Sequence, residues 1–360
     1  MRVLHITEAC GAGVRRHLEL ILPALRNHGL SCGLLAFGNR IEAGFAEGFA
    51  GLDFCRIVPL VGSRLLNLHR YVSLIRAACE EWHPEVVHLH AFAAGVAGRL
   101  AKLPNYPKVV YSPHAFSFHK AVGLLRRTAV WEAERALRGR TDAFALVGHS
   151  ELEEARRLGI EENKLHFAPN GIGDIHFCAR AEARSALEIP SNELAGIVPC
   201  RLEPQKGLAT LLKALTRVTA PCRLYLFGEG SQEETLRRMV TNLQLEQKVV
   251  FRPPRDDLRH LLQAFDFGVL PSLYEGLSYS LLEMLMAGIP VIASDISANR
   301  LPELQGGIAY FTPGDSLALA SFLNALPLPC QNVHDAVLAN YSLGKQVDIL
   351  MRIYSTSYNQ

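Results

Sequence analysis

The sequence predicts an α/β protein made of two successive blocks, each a doubly wound parallel sheet covered by helices. Short apolar runs, typical of buried strands, alternate with amphipathic helical patterns along the chain. This alternation runs once through the first half and restarts at Leu194, after a segment that contains Pro169 and Gly173. The length of 360 residues suits two domains, and we expect them to span residues 1–171 and 172–340.

The first block begins with a buried strand over Arg2–Thr7, a loop with Gly11 and Gly13, and a helix from about Val14 to Arg26. Further strands are predicted at 31–37, 86–90, 108–112 and 143–148, and helices near 64–81, 120–138 and 150–158.

The second block repeats the pattern. Strands are predicted over Leu194–Pro199, Arg223–Phe227, Val249–Phe251, Phe267–Leu270 and Val291–Ala293, and helices over Gly207–Val218, Ser231–Leu243, Asp257–Ala264 and Ser280–Met286. A last helix near 344–355 lies in the segment 341–360, which we expect to pack back on the first domain.

Composition excludes several classes of protein. Hydrophobic residues make up 49% and charged residues 20%, which excludes a disordered chain. The net charge of +2 argues against a nucleic-acid-binding protein. Charge is uneven, since residues 1–172 hold 21 Lys and Arg against 16 Asp and Glu, so we expect the two domains to bind different ligands. The eight isolated Cys and the absence of a secretory leader favour the cytoplasm.

The loop Cys10–Gly13 joins a strand to a helix, where backbone N–H groups can bind an anion. A dinucleotide fingerprint would need a third Gly at the position of Arg16 and a carboxylate near the end of the second strand. That strand ends Leu35–Gly38 without one, so a nicotinamide enzyme is disfavoured. A tight turn without a ligand is the alternative interpretation.

Two cations lie on the loop that follows the strand Leu194–Pro199. Arg201 and Lys206 are five residues apart, and both can reach one diphosphate at the carboxyl edge of a parallel sheet. They would also neutralise the charge that develops on a departing phosphate. A solvated surface pair is the alternative interpretation.

A more specific pattern follows the strand Phe267–Leu270. Glu275 lies in a loop, a helix begins near Ser278, and Glu283 lies in the second turn of that helix. The loop amides and the helix N-terminus can bind phosphate, while a carboxylate can accept hydrogen bonds from two ribose hydroxyls.

Together these motifs resemble the retaining glycosyltransferases of glycosyltransferase family 4, and the resemblance covers nearly the whole chain. The segments that carry it are Gly11–Gly13, Pro169–Gly171, Arg201–Gly207, Gly228–Gly230, Pro271–Ser272, Glu275 with Glu283, and Gly288–Asp295. The resemblance implies the GT-B fold, with two Rossmann-like domains facing across a cleft. It also implies an acceptor site in the N-terminal domain and a nucleotide-sugar site in the C-terminal domain.

The resemblance also implies roles for single residues. Arg201 and Lys206 would bind the donor diphosphate, Glu283 the ribose, and Glu275 would lie near the transferred sugar. The backbone at Leu277 and Ser278 and the loop at Gly13 would contact the donor. His114, which follows the strand 108–112, would face the donor sugar, although a lone His is more often structural.

The expected reaction is transfer of a sugar from a nucleotide-sugar to an acceptor hydroxyl with retention of configuration. No Asp-x-Asp pair occurs, so we expect no metal and no cofactor besides the donor. A nucleotide-sugar 2-epimerase and a non-catalytic nucleotide-sugar-binding protein remain alternatives.

The expected acceptor is a glycan or a polyprenyl-phosphate-linked sugar, because the family often uses such acceptors. The helical patterns at 64–76 and 120–138 combine apolar stripes with Arg and can lie on an anionic membrane. We therefore expect a cytoplasmic enzyme with peripheral membrane association, and the alternative is that both helices simply cover the core.

Overall fold

The computed structural model describes residues 1–38, 41–42, 44–60, 67–119, 123–328, 331 and 333–356. The chain divides into two compact units. The first comprises Met1–Gly171 with Leu343–Gln360, and the second comprises Ile172–Ser342.

The first unit is built on a parallel sheet, which has seven strands among the residues described. They are β1 Arg2–Thr7, β2 Ser31–Gly38, β3 Phe54–Pro59, β4 Val86–His90, β5 Lys108–Ser112, β6 Ala143–Leu146 and β7 Leu165–Phe167, in the spatial order β3-β2-β1-β4-β5-β6-β7. Its helices are α1 Ala12–Asn27, α2 Leu68–Trp82, α3 Phe92–Leu100, α4 Leu124–Leu137 and α5 His149–Arg157.

The second unit has the same architecture, with six parallel strands in the described part of the chain. They are β8 Leu194–Pro199, β9 Cys222–Phe227, β10 Val249–Arg252, β11 Phe267–Leu270, β12 Val291–Ser294 and β13 Ile308–Phe311, ordered β10-β9-β8-β11-β12-β13. Its helices are α6 Arg180–Leu187, α7 Leu208–Leu215, α8 Glu233–Asn242, α9 Tyr279–Met286, α10 Ser316–Asn324 and α11 His334–Tyr341.

A last helix, α12 Leu343–Ser355, belongs to the first unit. Its buried side chains Val347, Leu350 and Ile353 share a core with Leu18 and Ile21 of α1. Helices α2 and α3 bury their apolar faces in a second core of this unit. The strands lie between these two layers, which is why they consist of nearly continuous apolar residues.

The helix predicted over Asp257–Ala264 is present, and two other predicted helices fall partly outside the described residues. Residues Leu258–Ala264 form a 3-10 helix, not an α-helix. The helix predicted over 120–138 is described only as Leu124–Leu137, and residues 64–66 and 120–122 of the predicted basic helices lie outside the described residues. Within the described chain, no helix is both long enough and apolar enough to cross a bilayer.

Chain order reverses at one place in each sheet, between β1 and β4 in the first and between β8 and β11 in the second. Strand ends diverge at such a reversal and leave a crevice, where open α/β sheets bind their ligands. The loops that follow these four strands are therefore the places to look for a site.

Candidate active site

The loops after β8 and β11 meet at the reversal point of the second sheet. Gly207 ends a short 3-10 helix, Pro204–Lys206, with φ of +62°, and a Cβ built on it would lie 2.0 Å from the carbonyl oxygen of Pro271. Glycine is therefore required for this close approach. The Leu273 N–H donates to the carbonyl oxygen of Gln205 at 2.8 Å and joins the two loops directly.

Lys206 and Glu275 form an ion pair between these loops, through Nζ and Oε1. Ser272 Oγ donates to the same carboxylate oxygen at 2.8 Å, and Gln205 Nε2 donates to Oε2 at 3.2 Å. The two charged side chains are only 14% and 12% exposed. Because partly buried charges need compensation, Lys206 and Glu275 hold each other in place, and both carboxylate oxygens already have a donor.

Arg201 is exposed on the same loop and lies close to this pair. Charges of Lys206, Glu275 and Arg201 all act on the Cys200 thiol, in that order of strength. Burial outweighs them and raises the pKa of Cys200 to about 12. The thiol is therefore protonated at neutral pH and does not act as a nucleophile. The groups at these loops that can take part in a reaction are the charged side chains.

The loop with Arg201 is braced from its other side by residues 228–230, which follow β9. A Cβ on Gly228 would lie 1.9 Å from the carbonyl oxygen of Cys200, so this contact also requires glycine. The Leu202 N–H donates to the carbonyl oxygen of Glu229 at 2.9 Å, and the Glu203 carboxylate accepts from Ser231 Oγ at 2.6 Å. These bonds place Arg201 without engaging its side chain.

The remaining predicted donor ligands of this unit lie around the start of α9. Ser278 is the N-cap of that helix, the Leu277 side chain before it is buried, and Glu283 lies half-buried in the second turn. The predicted start of the helix near Ser278 is thus confirmed. The structure brings Glu275 to Lys206, whereas it places Glu283 one turn inside the helix. Gln205 and Ser272, the partners of Glu275, lie in the motifs that carry the resemblance but were not selected as site residues.

His114 lies in the first unit, two residues after β5. Its backbone is left-handed, with φ of +48°, and that of Ala115 is left-handed as well, with φ of +70°. Non-glycine residues in this region are strained and tend to occur at functional sites. The buried Glu151 carboxylate stabilises the turn, since it accepts from Ala115 N at 2.5 Å and from Val147 N at 2.8 Å.

Four more histidines, which sequence reasoning missed, lie around His114. They are His5 of β1, His17 of α1 and His88 and His90 of β4. Burial, reinforced by the charge of neighbouring histidines, lowers the pKa of His5 to about 3 and those of His88 and His90 well below the ordinary value. Burial alone outweighs the Asn170 hydrogen bond and lowers the pKa of His17 to about 4. All four are therefore neutral at pH 7.

The ring nitrogens of these four histidines and His114 lie close enough together to raise the question of a metal site. Two trios have ring nitrogens within 4.8 Å of one another. They are His5 with His88 and His90, and His17 with His90 and His114. Two of these separations, His5–His90 and His90–His114, are 3.0 Å and have hydrogen-bond geometry. These rings are hydrogen-bond partners, so we do not assign them as metal ligands.

Gly13 lies in the first turn of α1, because the helix begins at Ala12, two residues before the predicted start near Val14. A carboxylate that sequence analysis did not select lies at this helix start, because Glu42 Oε1 accepts from Ala12 N at 3.0 Å. The Glu42 side chain also lies 3.5 Å from the Arg15 guanidinium. An anion that binds at this turn must therefore compete with a side chain of the same charge.

Family models match both units of the chain. Residues 12–171 match the family model for a glycosyl transferase 4-like domain, and residues 196–326 match the model for glycosyl transferases group 1. The chain belongs to glycosyltransferase family 4. It is therefore a retaining glycosyltransferase, as the motifs indicated.

Curated relatives of this chain are named as glycosyltransferases. One is the UDP-Gal:alpha-D-GlcNAc-diphosphoundecaprenol alpha-1,3-galactosyltransferase of Escherichia coli, 26% identical over 330 residues that cover 83% of this chain and 81% of that one. Another is the D-inositol 3-phosphate glycosyltransferase of Mycolicibacterium smegmatis, 23% identical over 299 residues that cover 78% of this chain and 69% of the relative.

Solved structures confirm the fold of this glycosyltransferase. A sucrose-phosphate synthase from Thermosynechococcus elongatus has a TM-score of 0.83 at 17% identity and covers 98% of both chains. The Anabaena protein Alr3699/HepE, in complex with UDP-glucose, has a TM-score of 0.82 at 18% identity and covers 99% of this chain and 100% of its own. The predicted GT-B class, two Rossmann-like domains, is confirmed.

Proposed function

We propose that this enzyme transfers a hexose from a UDP-sugar to a hydroxyl of a polyprenyl-diphosphate-linked glycan. The loop pair around Lys206 and Glu275 at the reversal point of the second sheet carries the proposal, because it combines fixed positive charge with an oriented hydrogen-bond acceptor. UDP-sugar is favoured over other donors because the E. coli relative is named for UDP-galactose, and the Anabaena structure contains UDP-glucose.

In this proposal Arg201 and Lys206 bind the donor diphosphate. Their charge stabilises the negative charge that grows on the leaving oxygen as its bond to the anomeric carbon breaks. The acceptor oxygen bonds to the same face of that carbon, and the leaving diphosphate takes the acceptor's proton. This route needs no second carboxylate, in contrast to double displacement.

Glu275 then serves as an acceptor for a hydroxyl of the transferred sugar. Lys206 and Ser272 hold its Oε1 and Gln205 holds its Oε2, which orients the carboxylate and leaves one lone pair, on Oε2, for a ligand. Glu283 is proposed as the ribose ligand, and the backbone at Leu277 and Ser278 as a contact for phosphate or sugar. For Gly13 and His114 we keep the roles that the family implies, contacts to the donor and to its sugar.

A thermal-shift panel tests the donor. UDP-hexoses should raise the unfolding temperature more than GDP- or ADP-hexoses at equal concentration, because only the ligand that binds the folded state stabilises it. A larger shift with GDP- or ADP-sugars would refute the nucleotide assignment.

Incubation with the UDP-hexose alone separates transfer from epimerisation, since an epimerase would release an isomer without acceptor.

We propose further that the first turn of α4 binds an anionic membrane. Leu124 and Leu125 are 79% and 89% exposed, and Arg126 and Arg127 beside them are exposed as well. Exposed leucines beside arginines suit insertion at a bilayer surface with attraction to anionic lipid. Helix α2 differs, because its apolar residues Tyr71 and Ile75 are buried in the core.

Vesicle sedimentation tests this membrane contact. The enzyme should bind anionic vesicles at low salt, and the Leu124→Ser/Leu125→Ser variant should bind at least tenfold less, because each leucine side chain contributes about 1.5–3 kcal/mol when fully buried and about 1.4 kcal/mol is a factor of ten. Arg70→Gln on α2 is the matched control and should bind nearly as wild type. Equal binding to neutral and anionic vesicles, or no effect of the leucine changes, would contradict the proposal.

A further inference from the structure

Three imidazoles form a hydrogen-bonded line that ends at His114. His5 Nδ1 lies 3.0 Å from His90 Nε2, and His90 Nδ1 lies 3.0 Å from His114 Nε2. His5 and His90 are fully buried, so water cannot replace the hydrogen bond between them, whereas the His90–His114 bond is partly buried. The line connects the centre of the sheet to the strained turn on which His114 sits.

His88 lies on the same strand as His90 but is not part of this line. Its hydrogen-bond partners determine which of its two ring nitrogens carries the proton. Ser112 Oγ donates its hydrogen to the carbonyl oxygen of Ala145 at 2.6 Å, so it accepts from His88 Nε2–H at 2.9 Å. His88 Nδ1 then accepts from the Tyr354 hydroxyl of α12 at 2.7 Å. His88 is thus satisfied by partners other than His114.

The direction of the hydrogen bonds along the line follows from its buried end. A neutral imidazole has one N–H donor and one acceptor nitrogen, so the three rings must all point the same way. Among the residues that the structure describes, His5 Nε2 is buried and has no hydrogen-bond partner. A buried N–H without a partner is more costly than a bare lone pair, so His5 carries its proton on Nδ1.

The remaining protons are then fixed in turn. His5 Nδ1–H donates to His90 Nε2, and His90 Nδ1–H donates to His114 Nε2. His114 accepts through Nε2 and therefore carries its own proton on Nδ1. We propose that His90 is a positioning residue, which holds His114 as the Nδ1–H tautomer so that this N–H can donate to a hydroxyl of the transferred sugar.

This inference rests on the proposed sugar contact of His114, but its core statement is testable without activity. Nitrogen-15 NMR of histidine-labelled enzyme distinguishes protonated from unprotonated ring nitrogens. We expect His114 to show a protonated Nδ1 and an unprotonated Nε2 at neutral pH. A protonated Nε2 on His114 in the wild-type enzyme would overturn the positioning role, whatever His114 does in catalysis.

Two substitutions of His90 separate its hydrogen bond from its bulk. The side-chain amide of Asn at position 90 lies near the place of the His90 Nδ1 atom, so it can still donate to His114. The amide of Gln lies near the place of the His90 Nε2 atom and does not replace that donor. His90→Gln should lower kcat about tenfold, the equivalent of one hydrogen bond of about 1.4 kcal/mol, with unchanged affinity for UDP. His90→Asn should recover most of the lost rate and retain the His114 tautomer.

His88→Gln is the matched control, because it changes an equally buried histidine two residues away whose ring nitrogens bond to Ser112 and Tyr354. It should keep the wild-type kcat in the fraction that folds. Equal kcat losses in His90→Gln, His90→Asn and His88→Gln would show a structural role only and overturn the inference. If the tautomer is as expected but His114→Ala retains the wild-type rate, the proposed sugar contact fails instead.

Discussion

The buried histidines make the first unit sensitive to mild acid. His5, His17, His88 and His90 all have pKa values lowered by burial, to about 3 for His5 and about 4 for His17. The unfolded chain takes up these protons near pH 6.5, whereas the folded chain does not until far lower pH. The unfolded state therefore binds more protons below pH 6.5, and stability is full above that pH and is lost as the pH falls.

The size of the effect follows from these values. Lowering the pH from 7 to 5 costs about 2 kcal/mol of unfolding free energy for each histidine that stays neutral when folded. Four such histidines would cost at most about 8 kcal/mol, which is comparable with the whole stability of a typical domain. Carboxylates contribute little in this range, because their ordinary pKa values lie below 5.

Tryptophan fluorescence reports this unit selectively. The sequence contains two Trp, and Trp82 and Trp131 both lie in the first unit, at the end of α2 and within α4. Urea unfolding followed by this emission between pH 7 and 5 should show a steep loss of free energy. In His90→Asn the slope of the unfolding free energy against pH should be smaller near pH 5 by about 1.4 kcal/mol per pH unit. The reason is that the unfolding chain then takes up one proton fewer.

His69→Asn supplies the control, because His69 is exposed and should leave the slope unchanged. Equal unfolding free energies at pH 7 and pH 5, or a wild-type slope in His90→Asn, would refute the reasoning.

Two further predictions concern the proposed reaction. Activity should persist in excess EDTA, because Arg201 and Lys206 supply the positive charge at the leaving group; loss of turnover on chelation, restored by Mg²⁺ or Mn²⁺, would show the opposite. Glu283→Gln should weaken UDP binding by roughly 10- to 150-fold, the range for a hydrogen bond to a charged acceptor, whereas Glu275→Gln should leave UDP affinity nearly intact and lower kcat; calorimetry with initial rates would reveal a reversed pattern.

Much of the fold could be predicted because its strands are continuous apolar runs. The strand Leu194–Pro199 and the start of the helix after Ser278 were found at their actual positions. The edge strand β3, Phe54–Pro59, was missed because it contains Arg56 and is only partly buried, so it lacks the apolar run of a central strand. Helix α3 was missed because its Ala and Gly residues give no clear amphipathic pattern.

The residues of the candidate site likewise fall into those that the sequence could predict and those that it could not. Arg201, Lys206 and Glu275 could be selected because each lies on a loop directly after a predicted strand. Their partners could not, since the Lys206–Glu275 contact depends on β8 and β11 being neighbours, and a sequence does not state strand order. The same holds for the histidine line, because His5 and His90 lie on neighbouring strands only when β1 pairs with β4.

The central claim is that Lys206 and Arg201 bind the donor diphosphate, and calorimetry of UDP binding tests it most directly. Lys206→Met and Arg201→Met should each raise the dissociation constant roughly tenfold or more, because each removes a charge-assisted hydrogen bond of about 1.5–3 kcal/mol. Turnover should fall by roughly 100-fold or more, because the lost cation also stabilised the leaving group. Lys213→Met, which changes an exposed lysine of α7, should bind UDP as wild type does. Wild-type UDP affinity in both Lys206→Met and Arg201→Met would contradict the account.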